Sequence, residues 1–222
     1  MERVVRPLIL FLLLALAGTC ALADETADAN AIARAIYGQA EAHEKEVTLL
    51  FQSMESDSIH LIGLEHRLKT PESIARKVLL NAHDMEISLE EAVPTIRDAL
   101  RYTFCIEYDK YTASVDAILK ALTAKGYGIV KLRNTWGQSG YKGINTNLMT
   151  PDGYVFETQF HTPDSFDAKE AKTHDLYEII RSEHSTEAEK REASIKQKEI
   201  FDAVPVPEGA VDYAWTDPVK QH

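Results

Sequence analysis

The sequence has little cysteine and no long hydrophobic run. Only two cysteines occur among its 222 residues. The apolar stretch that begins at Leu8 falls short of the roughly 20 residues that a membrane-spanning helix needs. The eight histidines are scattered without the spacing of metal ligands, which argues against a zinc site. These absences exclude a disulfide scaffold and a multi-span membrane protein, and they leave stability to a hydrophobic core, which a chain of this length can bury.

The N-terminus has the three parts of a secretory signal peptide. Arg3 and Arg6 form a basic start, Leu8–Leu16 an apolar centre, and Ala21-Leu22-Ala23 a cleavage site of small residues. We therefore predict that residues 1–23 are removed and that a secreted or periplasmic protein begins at Asp24, without a membrane span.

The two cysteines bear on this prediction. Cys20 would be modified if the signal were that of a lipoprotein, but Thr19 is an unfavourable residue just before a lipidated cysteine. Cleavage after Ala23 leaves Cys105 alone, so no disulfide can form within the mature chain. The residues around Cys105 predict a buried strand, in which the thiol is a small hydrophobic group rather than a nucleophile.

The mature chain is acidic. Removal of residues 1–23 leaves 22 basic and 34 acidic residues, and thus a formal charge of −12. General nucleic-acid binding calls for a basic surface, so we predict none, although a local basic pocket remains compatible with this charge.

Polar and cationic residues cluster at the beginning of a predicted helix. Thr70 and Pro71 favour the N-cap and the first helical position, and they predict a helix over residues 70–82. Ser73 and Lys77 then lie one turn apart on the same face, beside backbone N–H groups that favour phosphate. An ordinary solvent-exposed helix is the alternative. The side chains available to a phosphate are Arg67, Lys69, Ser73 and Lys77.

A hairpin is predicted further along the chain. Asp152-Gly153 is a two-residue turn signal between predicted strands Ile144–Thr150 and Tyr154–Thr162. Because side chains alternate along a strand, the second strand has one face of core type and one polar stripe. A functional site is one explanation for such a stripe, and an edge strand with one wet face is the other. The polar stripe comprises Glu157, Gln159 and His161, next to Val155.

The other patterns indicate a single α+β domain. Apolar residues at helical spacing predict a helix over Ala113–Lys125 that ends at Gly126. The further predicted helices are residues 25–53 and most of 163–202, the further strands are Asp98–Tyr108 and Ile129–Trp136, and the tail after Val204 is predicted to be extended or disordered.

In this order the motifs resemble the synthetase domain of the RelA/SpoT family, the alarmone (ppGpp-type) synthetases. The resemblance covers about residues 60–182. The family's Arg-x-Lys-x-x-x-Ser-x-x-x-Lys motif is matched by Arg67, Lys69, Ser73 and Lys77. An Asp and a following Arg are matched by Asp98 and Arg101. The family's Tyr-x-x-x-His loop corresponds to the segment that begins at Tyr141. Its Glu-x-Gln-x-Arg-Thr strand corresponds to the segment from Glu157, and its trailing His-x-x-Tyr to the one from His174.

The chain departs from the family pattern at three points. The spacing between Asp98 and Arg101 is shorter than in housekeeping members. Asn145 stands where the family has the loop histidine, and His161 stands where it has the arginine. The last two positions belong to the acceptor side, so the resemblance does not identify the acceptor nucleotide.

The resemblance implies a nucleotidyltransferase-like mixed β-sheet flanked by helices. It implies an enzyme that transfers pyrophosphate from ATP to the 3′-hydroxyl of a nucleotide, with Mg²⁺ as the cofactor. Asp98 and Glu157 would be the catalytic and metal-binding carboxylates. The implied ATP-binding residues are Arg67, Lys69, Ser73, Lys77 and Arg101. The implied acceptor-binding residues are Tyr141, Asn145, Gln159 and His161, and the acceptor itself would be GDP, GTP, ADP or AMP.

The predicted organisation is a signal peptide over residues 1–23, an N-terminal helical segment over 24–59, the synthetase domain over 60–182, and a charged helix and tail over 183–222. Export suggests an effector or a toxin, since ATP is scarce outside cells. A non-catalytic nucleotide-binding or adaptor protein is the alternative, but such a protein would gain nothing from both carboxylates. Pyrophosphorylation of an RNA end is disfavoured by the acidic charge.

Overall fold

The computed structural model describes residues 5–182 and 184–216, and it describes their side chains from residue 25 onward except that of His174. The predicted signal peptide and the His174 match to the His-x-x-Tyr pattern therefore lie outside the described side chains. Within the described residues the chain forms two compact units. One is built from residues up to Ala42 and Leu68–Ala99, and the other from His43–Arg67 and Leu100 onward. No described helix combines the length and the apolar composition needed to cross a membrane.

The first unit is helical. It contains most of α1 (Val5–Gln52), together with α2 (Pro71–Met85) and α3 (Leu89–Ala92). The predicted start of α2 is confirmed, because the Thr70 hydroxyl accepts a hydrogen bond from the Ser73 amide, the usual N-cap contact. The helix continues three residues beyond the predicted range and ends where Glu86 adopts the left-handed conformation, with φ 55°.

The second unit contains a five-stranded mixed sheet. Its strands are β1 (Ile59–Ile62), β2 (Arg101–Ile106), β3 (Gly128–Asn134), β4 (Ile144–Met149) and β5 (Val155–His161). Their order is β1-β2-β5-β4-β3, and only the β2–β5 pair is parallel. The helices of this unit are α4 (Tyr111–Ala124), α5 (Pro163–Asp167), α6 (His174–Arg181) and α7 (Glu187–Asp202). The predicted α+β class with a mixed sheet is confirmed.

Strand β5 lies in the middle of the sheet, so the edge-strand explanation of its polar stripe is wrong. Both neighbours, β2 and β4, hydrogen-bond to it along its length. On its core face Phe156 and Phe160 are fully buried, and on the opposite face Gln159 and His161 are buried as well. Because the side chains of Gln159 and His161 are buried, their polar groups need partners within the protein.

The β4–β5 hairpin closes differently from its turn signal. The Thr150 amide donates to the Tyr154 carbonyl at 2.8 Å, and the Gly153 amide donates to the Thr150 carbonyl at 2.9 Å. Three residues, Pro151, Asp152 and Gly153, therefore form the loop. Gly153 has φ 98°, the left-handed position that three-residue hairpin loops require.

The described part of the tail is folded, contrary to the prediction for residues after Val204. Residues 208–212 form turns, and Ala210 is fully buried. The Asn134 side-chain amide donates to the Ala210 carbonyl at 2.7 Å, and the Thr112 hydroxyl donates to the Glu208 carbonyl at 2.7 Å. The tail therefore packs on β3 and α4 through its backbone carbonyl groups. The side-chain composition of the tail does not predict such contacts.

Cys105 lies in β2 as predicted and is partly exposed. Burial raises the pKa of its thiol to about 11, with Glu107 adding to the shift. Because only the thiolate is strongly nucleophilic, this cysteine is poorly suited to nucleophilic catalysis.

Candidate active site

The first unit places two motif lysines on one carboxylate. Lys69 Nζ lies 2.9 Å from Asp98 Oδ2, and Lys77 Nζ lies 2.7 Å from Asp98 Oδ1. Lys77 projects from the second turn of α2. Lys69 precedes the N-cap, and its amide donates to the Ala99 carbonyl at 2.9 Å, which holds its segment beside the one that carries Asp98. The three residues that the sequence pattern grouped are therefore in direct contact.

The charges in this cluster favour binding of an anion. Burial of Asp98 acts to raise its pKa, but Lys69 and Lys77 outweigh burial and hold the pKa below its ordinary value. The carboxylate is therefore ionised, and the cluster carries one excess positive charge. Each ammonium group has three donors and uses one on Asp98, while the side chains of Lys69 and Lys77 remain 25% and 35% exposed.

Ser73 lies on the exposed first turn of α2. Its hydroxyl accepts a hydrogen bond from the Thr70 hydroxyl at 3.2 Å, so its own proton is left for another acceptor. The exposed N-terminal turn of α2 adds the positive end of a helix dipole. Together with Lys69 and Lys77, this turn can bind phosphate.

Arg67 belongs to the second unit, and hydrogen bonds to other residues of that unit hold its side chain in place. Its Nε donates to Glu44 Oε1, and its Nη1 donates to the Leu64 carbonyl at 2.6 Å. Glu44 also accepts a hydrogen bond from Thr48 at 2.9 Å. These contacts fix the plane of the guanidinium, and the Arg67 side chain as a whole is 32% exposed. A fixed planar cation can stack on a nucleobase, which an ammonium group cannot do.

Arg101 and Glu157 are direct partners in the parallel β2–β5 register. The Arg101 amide donates to the Arg67 carbonyl at 2.8 Å, which links β2 to the segment that carries the first motif arginine. Glu157 is half-buried. Among the residues that the structure describes, no hydrogen bond or ion pair engages its carboxylate, so this group is free to accept a proton or to bind a cation.

A buried chain of hydrogen bonds joins three of the predicted acceptor residues. The Tyr141 hydroxyl donates to Asn145 Oδ1 at 2.9 Å and lies 2.8 Å from His161 Nε2. His161 Nδ1 lies 2.9 Å from the Ser165 hydroxyl. His161 is fully buried, and burial lowers its pKa to about 3, with the charges of Lys169 and Arg101 contributing. The imidazole is therefore neutral.

The fourth predicted acceptor residue, Gln159, is directed elsewhere. It is buried, and its Oε1 accepts a hydrogen bond from Lys169 at 3.0 Å. Lys169 lies in a single turn of π-helix, Ala168–Lys172, that follows α5. Asn145 is the cross-strand partner of Gln159, so the two amides lie at one level of the sheet.

Helix α7 holds the loop that carries Tyr141. Asp202, its last residue, accepts hydrogen bonds from the Gly140 amide at 3.1 Å and from the Ser139 hydroxyl at 3.2 Å. Lys198 first, and then the Gly140 amide, lower the pKa of Asp202 to about 2. Phe201 packs against the Tyr141 ring, with centroids 5.7 Å apart.

Sequence reasoning did not identify several supporting residues, namely Glu44, Ser165, Lys169, Phe201 and Asp202. One signal was present: Thr162-Pro163 precedes a helix in the same way as Thr70-Pro71, and Ser165 completes the capping box with Thr162. The other four have no local signal, because their partners lie at least ten residues away in sequence.

No family model and no curated protein matches the chain. Solved structures do. The smu.1046c protein of Streptococcus mutans UA159 is 18% identical, with a TM-score of 0.50, over 75% of this chain and 88% of its own. At this identity the likeness shows a shared fold.

Two further solved structures are similar to the chain at slightly lower TM-scores. Small alarmone synthetase 1 of Bacillus subtilis is 18% identical over 75% of this chain and 87% of its own, with a TM-score of 0.49. The complex of the Type VI effector Tas1 with its immunity protein contains a chain that is 21% identical over 77% of this chain and 94% of its own, also at 0.49.

Proposed function

We propose that this protein is an ATP:nucleotide 3′-pyrophosphokinase. The acceptor's 3′-hydroxyl oxygen would form a bond to the β-phosphorus of ATP, the bond between the α,β-bridging oxygen and that phosphorus would break, and AMP would leave. The observation that carries the proposal is the Lys69–Asp98–Lys77 cluster at the capped start of α2. It comprises motif residues in contact, with donors to spare for phosphate.

The ATP-binding residues in this proposal are the cations and the hydroxyl of the first motif, together with Arg101. Lys69 and Lys77 neutralise phosphate oxygens, and Ser73 adds a hydrogen bond. The guanidinium of Arg67, whose plane is fixed by Glu44, stacks on adenine. Arg101 also binds ATP. Such a site acts by positioning and by charge stabilisation and needs no covalent intermediate.

The donor chemistry of the two carboxylates fits magnesium. Asp98 is ionised, and each of its oxygens accepts one hydrogen bond, which leaves lone pairs for a cation. Glu157 is half-buried and supplies a second hard oxygen donor. One or two carboxylates with substrate phosphates and water are the usual ligands of Mg²⁺, and we propose Asp98 and Glu157 as the protein's share. When bound, Mg²⁺ would neutralise charge on the phosphate oxygens.

On the acceptor side we propose that Glu157 also takes the proton of the attacking hydroxyl. The Tyr141 ring stacks on the acceptor base, and Asn145, Gln159 and His161 shape its surroundings. The acceptor is a nucleotide with a free 3′-hydroxyl, with GDP, GTP, ADP and AMP as the candidates.

The predicted signal peptide adds a place of action to the proposal. The mature protein would be exported, and it would meet ATP either after delivery into another cell, as an effector or toxin, or outside the cell. A non-catalytic nucleotide-binding protein with the same fold would need neither carboxylate, so the role of Glu157 and Asp98 separates the two functions.

The test is incubation of the mature protein with ATP, Mg²⁺ and each of the four acceptors, followed by mass analysis. The proposal expects an acceptor heavier by one pyrophosphoryl group. Binding of nucleotides without any new product would favour the non-catalytic alternative. Absence of both binding and product would contradict the proposal.

A further inference from the structure

The residues that depart from the RelA/SpoT pattern on the acceptor side meet at a single oxygen. Asn145 and His161 both contact the Tyr141 hydroxyl, although they lie 4 and 20 residues from it in the chain. His161 has no exposed surface. A side chain without exposed surface has no atom with which to touch an acceptor, so its contribution must pass through a neighbour.

The protons in this chain can be assigned from the partners. Tyr141 has one hydroxyl proton and donates it to Asn145 Oδ1, so it must accept from His161 Nε2–H. Ser165 Oγ lies 2.9 Å from His161 Nδ1 and 3.2 Å from the Thr162 carbonyl oxygen. The neutral imidazole has only one N–H, which Tyr141 accepts, so Nδ1 is an acceptor and takes the Ser165 proton over the shorter of these two contacts. The chain therefore runs in one direction, from Ser165 through His161 and Tyr141 to Asn145.

Packing also holds the imidazole ring in place. A Cβ atom added to Gly143 would lie 3.0 Å from the Phe160 carbonyl oxygen and 3.1 Å from His161 Cε1. Only glycine lets the loop after Tyr141 approach so closely. Phe166 packs on the same ring, with centroids 6.0 Å apart, so the imidazole is held by Gly143, Phe166 and Ser165.

Tyr141 is fixed by this arrangement. Its hydroxyl is fully engaged within the protein, and Phe201 and His161 contact its ring at centroid distances of 5.7 Å and 5.4 Å. Part of the residue remains accessible. A ring whose hydroxyl is already used offers an incoming nucleotide its aromatic surface rather than a hydrogen bond.

We propose that His161 is a positioning residue, which holds the Tyr141 ring through its Nε2–H and does not touch the acceptor. The proposal rests on the proposed function, in which Tyr141 stacks on the acceptor base. It replaces the direct acceptor contact that the family resemblance implied for His161. It also implies that the Tyr141 hydroxyl does not distinguish guanine from adenine, since stacking accepts either base.

The test is a double-mutant cycle with Tyr141→Phe, His161→Leu and the double variant. Each single change removes the hydrogen bond between Tyr141 and His161, and Tyr141→Phe also removes the one to Asn145, so each should raise the acceptor KM by about three- to tenfold. The double variant should show the same increase as Tyr141→Phe alone, rather than the product of the two single increases. The ATP KM and kcat should stay within about twofold of wild type, and the increase should be equal for guanine and adenine acceptors.

Controls separate positioning from loss of structure. Tyr111→Phe removes another buried hydroxyl hydrogen bond, to the Phe160 carbonyl at 2.7 Å, and should lower Tm without changing the acceptor KM. His161→Gln retains an N–H donor and should recover part of the affinity lost in His161→Leu. If His161→Leu does not fold, His161→Phe, which also lacks the N–H donor, replaces it in the cycle.

The outcomes distinguish this inference from the function on which it rests. Increases in KM that multiply in the double variant, or a fall in kcat at unchanged KM in the His161 variants, would overturn the positioning role alone. Nitrogen NMR of the wild-type imidazole should show the Nε2–H form, and an Nδ1–H form would overturn it too. A wild-type protein that neither binds nor converts any acceptor would overturn the proposed function, and the positioning role with it.

Discussion

Asp98 and Lys77 are 2.7 Å apart, although 21 residues separate them in the chain. Lys77 reaches this carboxylate from a helix whose start is fixed by Thr70 and Pro71. Lys69 binds the other oxygen of the same group. The motif spacing therefore has a structural reason: it brings two ammonium groups to one half-buried acid and leaves both partly exposed to a ligand.

Lys77→Gln should lower kcat/KM for ATP by on the order of ten- to a hundredfold, the scale of a lost charge-assisted hydrogen bond. Stability should change little, because Lys69 still neutralises Asp98. Steady-state kinetics against ATP at saturating acceptor measure the effect. Lys120→Gln is the matched control, since Lys120 forms an exposed ion pair on α4 and its loss should leave kcat/KM unchanged. Equal values for the two variants would contradict the phosphate-binding role.

Asp98→Asn should destabilise the protein at neutral pH by about 1–2 kcal/mol, a value reduced from that of a fully buried pair because both lysines are partly exposed. The pKa of Asp98 is held below its ordinary value of 3.8. Its ionised form therefore stabilises the fold above that ordinary value, and this contribution is lost as pH falls through the lowered pKa. The gap in stability between wild type and Asp98→Asn should shrink in acid.

Urea unfolding at several pH values measures that gap. Asp116→Asn, which removes the exposed partner of Lys120, should show almost no destabilisation at any pH. A gap that stayed constant from neutral pH into strong acid would mean that the pKa of Asp98 is not lowered by folding.

Tyr141→Ala should raise the acceptor KM by roughly five- to a hundredfold, since stacking on an aromatic ring is worth about 1–3 kcal/mol per base. ATP binding should remain nearly intact, because no proposed ATP contact involves this residue. The measurement is the pair of KM values in one variant. Equal loss of affinity for ATP and acceptor would refute the assignment of Tyr141 to the acceptor.

The exported protein should begin at Asp24, because Ala21-Leu22-Ala23 is the predicted cleavage site. N-terminal sequencing of the protein recovered from the culture medium or the periplasm checks this. Retention of Met1, or a lipid on Cys20, would show that the predicted signal peptide is not removed in the expected way.

Local signals predicted local structure well. The Thr70-Pro71 cap, the helix over Ala113–Lys125 and its end at Gly126, where φ is 87°, depend on neighbours in sequence, and the structure has them within a few residues. The position of β5 in the sheet was not predictable in this way. The alternation of polar and apolar residues along β5 would be the same whether the strand were central or at an edge of the sheet.

Contacts between distant residues account for what the sequence did not predict in the site. Glu44 meets Arg67 across 23 residues, and neither has a pattern that names the other. Asn145 and His161 looked like two separate departures from a family motif, yet they share one partner in Tyr141. The relation between these two residues is visible only in the folded structure, where both contact the Tyr141 hydroxyl.

The central claim is transfer of an intact pyrophosphoryl group, and its most direct test is the stoichiometry of products from ATP and acceptor. Wild-type protein should form AMP and pyrophosphorylated acceptor in equal amounts. Glu157→Gln, which keeps the size of the side chain but removes its charge, should slow both by on the order of a hundredfold or more with little change in Tm. Glu192→Gln, an exposed change on α7, should have no effect. Formation of ADP in place of AMP, AMP with free pyrophosphate, or full activity in Glu157→Gln would contradict the account.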